Sequence, residues 1–173
     1  MANLSQAAVQ VILKRWPGVY YDDTDRIVGY WGLALTKTAH SFEANGVTLY
    51  TWCAWDSLFI PGILQLTARV ESACPVTGET IRLIVAPDRI MKRVPRDVYM
   101  SFITPTAASI RENAILNFCH YVHFFSSAQA GRKWSSENEG TFILSLDEAF
   151  SLGQEKDRAR YSEILKSAVR VEA

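Results

Sequence analysis

The sequence has no excess charge of either sign, since its 18 Lys and Arg are matched by 18 Asp and Glu. A balanced chain offers no global electrostatic footprint, so neither nucleic acid nor an anionic membrane is expected as a partner. Cysteine is scarce as well. Three in 173 residues cannot build a disulfide framework, and an odd count fits a reducing compartment, so free thiols and a cytoplasmic location are expected. No basic region precedes the start Met1-Ala2-Asn3-Leu4-Ser5, and Gln6 and Gln10 interrupt the apolar residues that follow. No signal peptide is therefore expected. The apolar runs around Leu58 to Leu66 and Phe118 to Phe125 fall far short of a membrane span. Also missing are G-x-x-x-x-G-K, G-x-G-x-x-G and G-x-S-x-G. Their absence removes the common phosphate loops and the commonest serine hydrolase signature.

What is present suffices for a packed core. Hydrophobic residues make up 49% and charged residues 21%, the balance of an ordinary folded domain of this length. Leu4, Ala8, Val11 and Ile12 share one helical face, which Pro17-Gly18 ends. Ile27 to Thr36 reads as a strand broken by Gly29 and Gly32. Asn45-Gly46 joins Ser41 to Ala44 with Val47 to Trp52, the strongest hairpin signal in the chain. Cys53 to Leu66 reads as a helix that Pro61-Gly62 should kink or divide.

A second hairpin joins Thr67 to Ala73 with Thr80 to Val85, and Val98 to Ile103 is a further strand. Helical stretches follow at Thr106 to Leu116 and Ser126 to Asn138, then a short strand at Thr141 to Leu144. Ser145 with Glu148 forms a capping box that opens a last helix, with a break expected at Gly153. Strands that arrive in hairpins predict an α+β fold, a mixed core on antiparallel sheet with flanking helices.

Two segments hold residues able to do chemistry. In Tyr50-Thr51-Trp52-Cys53-Ala54-Trp55-Asp56 a strand hands over to a helix at Cys53. A thiol in a helix's first turn meets unpaired N–H groups and the positive dipole end, which lower its pKa. Asp56, three residues on, shares its face, and the surrounding Trp52, Trp55 and Phe59 should keep a proton on the carboxyl by desolvation. The plain alternative is a buried cysteine beside a capping aspartate. The second segment, Asn117 to Phe125, places Cys119 next to His120 and near His123. It suits a soft-metal ligand set, a Cys–His nucleophile pair, or simply core. A zinc site drawn from Cys53, Cys74, Cys119 and His123 lacks any C-x-x-C or H-x-x-x-H spacing. Cys74 reads as structural.

Taken together, these segments resemble the organomercurial (alkylmercury) lyases. The resemblance runs through Leu49 to Leu58, Thr67 to Val70, Cys74 with Thr77-Gly78, Phe118 to Phe125 and Asp147 to Gln154. It implies a catalytic domain over residues 26–173, preceded by a short helical segment, 1–25, that is abbreviated relative to the family. It implies too that Cys53 and Cys119 hold mercury and that Asp56 handles a proton. The implied reaction is protonolysis of a carbon–mercury bond to a hydrocarbon and Hg2+, with the metal as substrate and product. No organic cofactor is implied, only small thiols for turnover. Hg2+ would pass on to a mercuric reductase or to cellular thiols. Two other readings stay open: a soft-metal binding protein without catalysis, and a hydrolase or transferase using Cys119 with a histidine.

Overall fold

The computed structural model describes residues 5–168. Leu4, part of the expected N-terminal face, lies outside them. Eight antiparallel strands form the main sheet. They are β1 (Val19–Tyr21), β2 (Ile27–Tyr30), β3 (Leu33–Ala34), β4 (His40–Ala44), β5 (Val47–Thr51), β6 (Ala68–Ala73), β7 (Thr80–Val85) and β8 (Ile90–Val94). Their order across the sheet is β1-β2-β3-β5-β4-β6-β7-β8. A smaller antiparallel sheet, ordered β10-β9-β11, holds β9 (Tyr99–Ile103), β10 (Phe124–Phe125) and β11 (Thr141–Ser145). The helices are α1 (Gln6–Leu13), α2 (Asp56–Leu64), α3 (Ala107–Asn117), α4 (Ala128–Ser136) and α5 (Leu146–Ala168). The fold is α+β with antiparallel sheet, as the hairpin pattern predicts. Among the described residues no helix is long and apolar enough to cross a membrane.

Period-two patterning builds the main sheet. In β6, Ala68, Val70 and Ser72 point inward while Arg69 and Glu71 face solvent, and Ile81, Leu83 and Val85 repeat this in β7. Asn45 and Gly46 both take positive φ, 49° and 75°, the geometry that a type I′ turn requires between β4 and β5.

The structure departs from the sequence reading in several places. Ile27 to Thr36 is two strands, because the chain reverses at Trp31-Gly32 and pairs β2 with β3. The helix opens at Asp56, three residues after Cys53, and runs through Pro61 as one element. Asp56 to Gly62 are all buried there, so tertiary packing rather than propensity holds α2 together. Gly153 does not break α5. A Cβ at Gly153 would lie 3.0 Å from Phe59 Cβ, so glycine lets α5 approach α2 closely. The strands β1 and β8 carried no signal strong enough to be read.

Candidate active site

Cys53 sits on the short passage between β5 and α2, and backbone hydrogen bonds pin it on both sides. Trp52 N–H donates to Gly32 O at 3.1 Å, and Ala54 N–H donates to Val122 O at 3.2 Å. The first ties Cys53 to the β2–β3 turn. The second ties it to the segment that carries Cys119, which lies on a 3-10 turn, Cys119–Tyr121. Ser101 of β9 anchors that turn: its hydroxyl donates to Tyr121 O at 2.7 Å and accepts from His123 N–H at 3.1 Å. Two sulfurs distant in sequence are thereby brought to one point.

The convergence includes the carboxyl. Ligand atoms of Cys53, Asp56 and Cys119 all lie within 4.8 Å of one another. Among the described residues this is the only such group of three or more potential ligands. Cys53 donates twice to Asp56 Oδ2, from its backbone N–H at 3.0 Å and from its thiol at 3.2 Å. Cys53 and Asp56 are buried, whereas Cys119 is half-buried.

Electrostatics reverse one expectation. Burial pushes the Cys53 thiol well up, reinforced by the Cys119 thiol and by the Asp56 charge. Cys53 precedes the helix instead of occupying its first turn, so desolvation outweighs any dipole effect. Burial also raises Asp56, to about 6, against the opposing pull of the Cys53 hydrogen bonds and of Lys156. At pH 7 a carboxyl of that pKa is mostly ionised. The resting proton therefore belongs on the sulfur and not on Asp56, the opposite of a thiolate beside a protonated acid.

Other candidates fall outside the cluster. Cys74 is buried in the turn between β6 and β7. Burial there would raise its thiol, but hydrogen bonds from Thr77, Ser126 and Val76 more than offset this and hold it below its ordinary value. His123 packs edge-on against Trp134 with ring centroids 5.1 Å apart, and His120 does the same against Tyr121 at 5.4 Å. Among the described residues no hydrogen bond joins Cys119 to either ring, and the four-ligand zinc set does not assemble.

The structure adds neighbours that sequence reading missed. Gly32 lies on the far side of the carboxyl, where a Cβ would come within 2.6 Å of Asp56 Oδ1. Tyr20 stands edge-on to Trp52 at 5.4 Å, and burial, Cys119 and Asp56 together push its phenol up. Lys156 of α5 lies 3.0 Å over the Phe59 ring and pairs with Asp157 at 2.9 Å. A glycine inside a strand pattern is a signal of close backbone approach, and Gly32 carried it.

Comparison with known proteins agrees with this geometry. The alkylmercury lyase (MerB) family model matches residues 33–156. The chain is 40% identical over 156 residues to the alkylmercury lyase of Staphylococcus epidermidis, covering 90% of this chain and 69% of that protein. It is 40% identical over 146 residues to that of Pseudomonas putida, covering 84% and 66%. It thus spans about two thirds of the length of these curated relatives. A crystal structure of the mercury-bound form of MerB2 superposes with a TM-score of 0.70 at 27% identity, over 88% of this chain and 73% of that one. This chain belongs to the alkylmercury lyase family.

Proposed function

We propose that the protein cleaves the carbon–mercury bond of organomercurials by protonolysis, with Cys53 and Cys119 as the mercury-binding thiols and Asp56 as the proton carrier. The observation that carries this reading is the convergence of two sulfurs and one buried carboxyl within 4.8 Å. Thiolates are soft, polarisable donors that suit mercury better than imidazole or carboxylate does.

The resting state sets the order of events. An organomercurial arrives as R–Hg–SR′ on a small thiol. Cys119, the more accessible sulfur, takes the mercury, and R′S– departs with the Cys119 proton as R′SH. The Cys53 sulfur then bonds to mercury while its proton passes along the existing hydrogen bond to Asp56 Oδ2. Asp56 delivers that proton to carbon, the Hg–C electron pair becomes the new C–H bond, and R–H leaves. Hg2+ remains on two thiolates until two small thiols remove it and return both protons.

Substrate and product would be handled within a reducing cytoplasm, for which the three free thiols speak. The released Hg2+ would go to a mercuric reductase or to cellular thiols. No organic cofactor enters the reaction as written.

The test is incubation of the purified protein with methylmercury and excess small thiol, with methane followed in the headspace. Methane release by wild type, and loss of at least about 10³ in rate in Asp56→Asn with Hg2+ uptake retained, is expected. Tight Hg2+ uptake by wild type without methane would instead establish a non-catalytic binding protein.

A further inference from the structure

The turn between β2 and β3 adopts a backbone conformation its sequence does not prefer. Trp31 has φ +51°, in the left-handed region that bulky residues rarely enter. Three contacts hold it there. Its N–H donates to Gly18 O at 2.8 Å. Its indole lies on Gly18, where a Cβ would come within 2.8 Å of the ring. The Arg160 guanidinium of α5 sits 4.3 Å from the centroid of that indole.

The next residue reaches the site. A Cβ on Gly32 would fall 2.6 Å from Asp56 Oδ1 and 2.9 Å from Ile60 Cδ1. Gly32 O also accepts the Trp52 N–H, one residue before Cys53. The two carboxyl oxygens are thus treated differently: Oδ2 faces Cys53, and Oδ1 is covered by bare backbone. A backbone outlier that its surroundings over-determine, next to a reacting group, points to function.

We propose that Trp31 and Arg160 are positioning residues for the reaction, a clasp between the sheet edge and α5 that presses the Gly32 backbone onto Asp56. The clasp keeps water off Oδ1 and fixes the carboxyl with Oδ2 aimed at Cys53 and the mercury. It rests on the reading of Asp56 as the proton carrier. Arg160 is exposed, so its contact with the indole contributes little to the fold as a whole. Its effect is local, on whether the turn stays down.

The test combines steady-state kinetics of hydrocarbon release with hydrogen exchange at the Trp52 amide, whose acceptor is Gly32 O. Arg160→Ala is expected to lower kcat about threefold, the size of one exposed cation–π contact, and Trp31→Ala about tenfold or more. KM and the amount of Hg2+ bound should not change, and Trp52 exchange should quicken in step with the fall in kcat. Arg160→Lys and Trp31→Phe, which keep the charge and the ring, should recover most of both. If Arg160→Ala, an exposed and fold-safe change, leaves kcat and Trp52 exchange at wild-type values, the clasp is refuted. A failure of the underlying reading looks different: Asp56→Asn would then retain turnover, whereas a failed clasp leaves Asp56→Asn inactive and the amide exchange unmoved.

Discussion

The two sulfurs of the site share a few ångströms of space but belong to opposite kinds of structure. Cys53 is 1% exposed, fastened by backbone bonds on either side, and followed by a helix buried from Asp56 to Gly62. Cys119 is half-buried on a single 3-10 turn, behind a helix α3 that leaves Leu116 62% exposed and is non-helical at Asn113. One arm is part of the core and the other is laid against it. The difference suits the order of steps proposed above. In the proposed reaction the fixed, proton-bearing thiol works with the acid, and the accessible one captures the substrate.

The largest expected effect is on thiol chemistry. In the native protein, iodoacetamide should alkylate Cys119 at least about 10³ times faster than Cys53, which reacts only when the core opens. Mass spectrometry of timed samples reads this directly, and equal rates would erase the contrast between the arms. Next comes stability. Leu58→Ala in α2 removes a fully buried side chain and should cost about 3–4 kcal/mol in urea unfolding. Leu116→Ala in α3 should stay within about 0.5 kcal/mol. A large cost at Leu116 would mean that the Cys119 arm is more firmly built than its exposure says.

The last contrast concerns pH. His40 is buried against Ser72, its Nδ1 and the Ser72 Oγ 2.9 Å apart, and burial with the nearby His123 holds it at about 3. Below the ordinary value of 6.5 the unfolded chain takes up a proton that folded His40 refuses. Its contribution to stability is therefore present above pH 6.5 and is lost as pH falls towards 3, by up to about 1.4 kcal/mol per pH unit. Asp56, raised to about 6, works in the opposite sense, since ionising it costs the fold stability as pH rises from 3.8. Comparing wild type with His40→Gln cancels the carboxyl. The variant should show the shallower acid-side decline, and identical slopes would show that His40 titrates normally.

How far the molecule can be read from its sequence depended on how local each cause was. Asn45-Gly46 fixes its hairpin through its own φ angles. Ser145 and Glu148 close their capping box at 2.8 and 3.3 Å without outside help. The three-residue spacing of Cys53 and Asp56 likewise suffices for their hydrogen bonds. Where the cause is tertiary, the sequence misleads. Nothing in Cys53's neighbours in the chain says that the helix starts three residues later, or that burial outweighs the dipole and leaves the proton on sulfur. Gly153 resembles a break until Phe59 is seen against it. Trp31 resembles a strand residue until Gly18 and Arg160, from remote parts of the chain, are found around its ring.

The bond from Ala54 N–H to Val122 O has a consequence for tolerance to change. Main-chain atoms make it, so the gap between the cysteines is gauged by peptide groups and is blind to which side chains flank them. Both residues are wholly enclosed, which limits their bulk, yet any side chain that fits would preserve the gauge. Proline at position 54 alone would sever it, by deleting the hydrogen on which it depends.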